Sequence, residues 1–194
     1  MKLSHFIAAA LLVGASSAQA VYTVNLTESG GNVTATGSGS INTTGMVPTV
    51  TGGFCVNGYV GANTLCLGTS PTGLMFTGQV SPALAALTTG ANTSGNASSG
   101  QPVFMQNTTL YLPAGYVSAS PLSSSATFNG RTFASMGLTP GTRTFTLTSG
   151  DTIVINIGPM AASAPIPTLS EYGAMALASL LAMAGMLAMR RRKE

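Results

Sequence analysis

Charge is what this chain has least of. Its 194 residues include 7 Lys and Arg, 4 Asp and Glu and one His, so only 6% are charged, against about 25% in an ordinary soluble protein. Tryptophan is absent and cysteine occurs twice. General acid–base catalysis, hydrolytic metal centres and phosphate clamps each need several ionisable groups at one point, and few are available to converge. A nucleophile–base arrangement needs a His or Lys partner, yet the one His is His5 and the two Lys are Lys2 and Lys193. The expectation is a protein that is not an enzyme and calls for no cofactor and no metal.

The formal charge of +3 is also confined to the ends. Lys2, Arg190, Arg191, Arg192 and Lys193 supply five of the seven positive residues, whereas residues 21–165 carry only Glu28, Arg131, Arg143 and Asp151, which sum to zero. The positive excess therefore describes topology, and no nucleic-acid partner is expected.

Lys2 precedes a short apolar run at 6–13, and small residues follow to Ala18-Gln19-Ala20. A charged start, an apolar middle and an A-x-A-like site predict a helical signal peptide over residues 1–20, removed by signal peptidase after Ala20. The run is too short to span a bilayer. At the other end, residues 173–189 form 17 uncharged positions rich in Ala, Leu and Met. A helix of that length covers about 25 Å, enough for a single transmembrane span. Arg190, Arg191, Arg192 and Lys193 close it with a basic stop, which the positive-inside rule holds in the cytoplasm.

The residues entering this span read Ile166, Pro167, Thr168, Leu169, Ser170, Glu171, Tyr172 and Gly173. Motif, span and basic stop in this order resemble the IPTL-CTERM sorting signals of bacterial surface proteins. These are relatives of the PEP-CTERM signals handled by exosortases, which are membrane-embedded cysteine proteases. The family usually places Trp where this chain has Tyr172, and both rings suit the bilayer interface. The resemblance implies an exosortase-type partner and a precursor held in the inner membrane before delivery to the envelope surface or outside. Pro165 and Pro167 bias their predecessors toward extended backbone, the form in which a protease cleft binds a chain.

Between the ends lies one domain, residues 21–160, with a linker at 161–165 and the sorting signal at 166–194. Residues 21–165 hold 41 Ser and Thr and 21 Gly. The alternating runs at 21–26 and 32–41, and the short apolar runs at 54–60, 74–80, 109–112 and 115–117, predict strands. Asn129-Gly130 between 124–128 and 131–133 predicts one hairpin, and Ser149-Gly150-Asp151 between 143–148 and 152–157 a second. Only 82–87 (PALAAL) reads as helical, and 91–100 (ANTSGNASSG) reads as a polar loop. The expected fold class is all-β, an antiparallel β-sandwich-like ectodomain flanked by the two terminal helices. Cys55 and Cys66, in an exported chain, are expected to form a disulfide. The segment 110–158 resembles the C-terminal part of a group of exosortase-sorted surface proteins, a likeness that brings no catalytic residues.

Six N-x-[ST] triplets, at Asn25, Asn32, Asn42, Asn92, Asn96 and Asn107, read either as glycan acceptors or simply as a Ser/Thr-rich composition. Thr-rich strands of low charge also allow self-association. The leading expectation is a non-enzymatic cell-surface or extracellular-matrix protein. The alternatives are a permanent membrane anchor without processing, or an adhesin or carbohydrate-binding module using Tyr59, Tyr111 and Tyr116 as a stacking platform for a surface glycan.

Overall fold

The computed structural model describes residues 20–52, 55–69 and 72–158. The predicted signal-peptide positions before Ala20, and the tail with its linker, lie outside these residues. The domain is built from two seven-stranded sheets. In the first, β1 (Val21–Ser29) turns back through Gly30 and Gly31 into β2 (Asn32–Ser40). Both glycines have positive φ, 59° and 73°, which a two-residue hairpin turn requires and which other residues resist. β2 then pairs with β12 (Pro121–Phe128), and β12 with the edge strand β9 (Ala97–Gly100). On its other side, β1 pairs with β14 (Thr152–Ile157), which pairs with β13 (Gly141–Leu147) and then with β7 (Val80–Ser81).

The second sheet runs β3 (Val50–Gly52), β6 (Gly73–Phe76), β11 (Thr109–Pro113), β10 (Val103–Gln106), β5 (Thr64–Leu67), β4 (Tyr59–Gly61) and β8 (Thr93–Ser94). One hydrophobic core joins both sheets. Tyr22, Val24 and Leu26 of β1, Phe128 of β12 and Ile153, Ile155 and Ile157 of β14 meet Val60, Leu65, Leu67, Met105, Leu110 and Leu112 of the second sheet. The period-two alternation read from the sequence is the reason. Every second side chain faces inward, and those inward positions carry the apolar residues.

Tyr22 is a polar exception inside this core. It is 0% exposed, and its hydroxyl pairs with Ser124 of β12 across β2. The ring passes over Gly37. A Cβ there would lie 2.7 Å from Tyr22 Cζ and 2.8 Å from Ser124 Oγ, so the missing side chain is what makes room for the pair. Burial pushes the phenol up to about 12, against a smaller lowering by the Ser124 hydrogen bond.

Several sequence expectations need correction. The sandwich is not purely antiparallel, because β1 and β14 run parallel, from Val21 beside Thr152 to Leu26 beside Ile157. The stretch after Asn129-Gly130 is not a strand but a short helix, α1 (Phe133–Met136). Both edges of β12 are already taken by β2 and β9, so a returning strand has no ladder to join. Thr132 and Ser135 instead form a reciprocal capping box, and the Phe133 N–H donates to the Glu28 carboxylate at 2.5 Å. Removing that acceptor with Glu28→Ala is expected to cost about 1 kcal/mol, read as a lower thermal midpoint.

The segment 82–87 is not helical. Leu84 and Leu87 are buried, but their N–H groups donate to the carbonyls of Asn107 and Ala62 rather than within the segment. The polar loop 91–100 supplies β8 and β9, one edge strand to each sheet. Main-chain pairing at an edge needs no apolar face, which is why the residue pattern concealed it. Residues 115–117 are not a strand but join two turns, closed by the Tyr116 N–H on the Pro113 carbonyl and the Ser120 N–H on the Val117 carbonyl. There Tyr116 accepts a hydrogen bond from the Ile41 N–H at 3.0 Å and donates to the Ser120 carbonyl at 2.8 Å. Burial raises its pKa, and the Asp151 charge adds to the rise against the Ile41 hydrogen bond.

Candidate functional site

The side chains on the outer face of the second sheet come from the alternate positions of strands whose other residues fill the core. Strand register aligns them in one row. Ser94 of β8 lies opposite Tyr59 of β4, Tyr59 opposite Cys66 of β5, Cys66 opposite Phe104 of β10, Phe104 opposite Tyr111 of β11, and Tyr111 opposite Met75 of β6. The Phe104 and Tyr111 rings stack with centroids 4.6 Å apart and planes inclined by 19°. Cys55, Cys66 and Phe104 form a small buried cluster separate from the main core, and Tyr59 and Tyr111 pack half-buried against it.

The two cysteines are joined, with Cα atoms 6.0 Å apart. This bears out the disulfide expected from the sequence and places it in the aromatic row, through Cys66 between Tyr59 and Phe104. It ties the segment before β4 to β5, in the floor of a depression of about 520 Å³. Val56, Tyr59, Cys66 and Phe104 form the apolar part of that depression, and the carboxamides of Asn57, Asn63, Asn92 and Gln106 much of the polar part. Asn63 is held by its hydrogen bonds to Asn107 and Thr64. Among the described residues, the side chains of Asn57, Asn92 and Gln106, all exposed, make no hydrogen bond. Gly61 sits between Asn92 and Tyr59. A Cβ there would overlap Asn92 Oδ1 and lie 3.2 Å from Tyr59 Cε1.

Of the three tyrosines expected as a platform, the structure brings Tyr59 and Tyr111 into this row. Tyr116 is committed elsewhere, tying Ile41 to Ser120. Phe104 and the carboxamides escaped the sequence reading. The available signal was the alternation in β10, where Val103 and Met105 face the core and Phe104 and Gln106 fall on the other side.

The two carboxylates among the described residues, Asp151 and Glu28, do not meet. Asp151 is buried and accepts from the Asn42 N–H at 2.6 Å, holding the β13–β14 turn to the chain after β2. It lies beside the start of β1, since the next residue, Thr152, pairs with Val21. Glu28 lies near the far end of β1, about 25 Å away at ~3.3 Å per residue. That separation is too large for paired-carboxylate hydrolysis, which needs roughly 5–9.5 Å. Among the described residues no group of three or more His, Cys, Asp or Glu is arranged to hold a metal.

Five of the six sequon asparagines have structural work for Oδ1. Asn25 accepts from Asn156, Asn32 from the Gly130 N–H, Asn42 from Ser118 and Thr44, Asn96 from the Asn129 N–H, and Asn107 from Asn63. Their frequency has an architectural use independent of glycan attachment.

The expected signal-peptide cleavage point, Ala18 to Ala20, falls at the edge of the described residues. Val21, the residue just beyond it, is the first of β1, and the Ala20 carbonyl accepts from the Thr152 N–H at 3.3 Å. Among the described residues no helix is long and apolar enough to cross a membrane. The run 173–189, the motif 166–173 and the basic stop 190–193 lie outside them. Residues 164–191 match the family model of the IPTL-CTERM motif. No curated protein and no solved structure matches the chain.

Proposed function

We propose that the chain is an exported, non-enzymatic surface or matrix protein, held in the inner membrane as a precursor and released from its tail by an exosortase-type protease. The IPTL-CTERM match over residues 164–191 carries this reading. It marks a C-terminal sorting signal of the kind found on exported surface proteins, and the protein's own composition fits it. Behind the motif stand an uncharged run long enough to span a bilayer and a terminal basic cluster that resists translocation.

The non-enzymatic part of the reading draws on the domain. Residues 21–165 contain neither His nor Lys, and Glu28 and Asp151 stand at opposite ends of one strand pair. Cleavage by signal peptidase would leave Val21 at the start of β1. Cleavage near 166–173 would leave a folded domain whose formal charge is zero.

Mass spectrometry of the surface fraction tests the processing step. The expected result is a mature C-terminus within or just before residues 166–173, with peptides from 174–194 confined to the membrane fraction. Recovery of the intact peptide 190–194 from surface-exposed protein would overturn processing and favour a permanent anchor.

A further inference from the structure

The depression on the outer face of the second sheet has a chemistry of its own. We propose that it is a binding site for a neutral glycan, with a sugar ring packed against the half-buried Tyr59 and its hydroxyls read by Asn57, Asn92 and Gln106. The inference goes beyond export and sorting, and it stands whether or not the tail is cut, because every residue in it belongs to the folded domain.

Three observations identify the ligand class. First, the half-buried Tyr59 ring lines the depression with the exposed Val56, and the buried Phe104 backs it in its stack with Tyr111. A pyranose presents a patch of C–H groups on its faces, which packs on an aromatic ring. Second, the rim carries carboxamides. Each offers two N–H donors and a carbonyl acceptor, which matches a sugar hydroxyl that both donates and accepts. Those of Asn57, Asn92 and Gln106 make no hydrogen bond among the described residues. Third, none of Glu28, Arg131, Arg143 and Asp151 lines the depression. An anionic polysaccharide or a nucleic acid would find no cation there among the described residues, whereas a neutral sugar needs none.

Size agrees with this reading. About 520 Å³ falls in the roughly 300–1,000 Å³ typical of small-molecule sites. The Cys55–Cys66 disulfide and the hydrogen bonds holding Asn63 fix parts of the floor and rim before any ligand arrives, which lowers the ordering required there on binding.

The test uses the full-length chain in a zwitterionic detergent without sugar headgroups. Binding is measured to an array of neutral gluco-, galacto-, manno- and xylo-oligosaccharides, with alginate oligomers as the anionic control. At least one neutral series is expected to bind and alginate to fail. Tyr59→Ala is expected to weaken binding by about tenfold, and Asn92→Ala by about fivefold with an unchanged thermal midpoint, since Asn92 is exposed. Thr144→Ala, on an exposed position of β13 in the first sheet, is expected to change nothing. Should Tyr59→Ala fail to fold, Asn92→Ala decides the matter alone. The proposal is overturned if no neutral series binds, if alginate binds as well as the neutral sugars, or if folded Asn92→Ala binds like the unaltered chain. None of these outcomes bears on tail processing, which the C-terminal peptide analysis reads separately.

Discussion

Gly37→Ala is expected to destabilise the domain by about 3–5 kcal/mol, combining overpacking with disruption of a buried hydrogen bond. That is a large share of the total stability of a single domain, roughly 5–15 kcal/mol. The new methyl group has nowhere to go. It would meet the Tyr22 hydroxyl and Ser124 Oγ, which are the two members of a polar pair sealed within the core. Moving the ring aside would break that pair, and moving β2 would strain ladders to β1 and β12 on both its edges. Urea denaturation checks the cost as a lower midpoint with an unchanged slope. In the Gly37→Ala background, Tyr22→Phe should recover part of the loss, because it removes the oxygen with which the methyl collides. A coupling well above 0.5 kcal/mol in the double-mutant cycle would establish the direct contact.

The second large effect is alkaline. Tyr22 ionises at about 12 in the folded protein, against 10.0 for an ordinary tyrosine. Below pH 10 both folded and unfolded chains keep the proton, and the stability is complete. Between pH 10 and 12 the unfolded chain gives up the proton while the folded one retains it, so stability falls by about 3 kcal/mol in all. Tyr116, also raised, steepens the same limb. Chemical denaturation at stepped pH should show this decline, and Tyr22→Phe should flatten most of it. The same variant should cost about 1 kcal/mol at neutral pH, where Ser124 loses its partner.

Much of the architecture was legible because burial writes itself into alternation. The strands 21–26, 109–112 and 152–157 carry apolar residues at every second position, and all three are strands in the fold. Asn129-Gly130 was a true turn signal, but a chain leaving a turn becomes a strand only where a strand edge is free. The competition for β12 is a tertiary fact that no local pattern contains. The edge strands in 91–100 were hidden for a related reason: backbone hydrogen bonds hold them, and backbone is the same for every residue. Tyr59 and Tyr111 could be singled out as aromatic, but their alignment with Phe104 depends on the register of β4, β5, β10 and β11. The carboxamide rim comes from segments 57–63, 92 and 106, which only the folded sheet brings together. The sorting motif was the most legible feature because its recognition is linear.

The parallel pairing of β1 and β14 has a mechanical consequence. On the proposed surface location, the domain would be stretched between whatever holds it and whatever it touches. A pull applied at Val21 and at Ile157 draws the two neighbouring strands in opposite senses along their common ladder. The pairs from Val21–Thr152 to Leu26–Ile157 then resist together in shear instead of parting one at a time. Forced unfolding is governed by the rate of that first rupture, so the join of the first strand to the last sets how long the domain survives under tension.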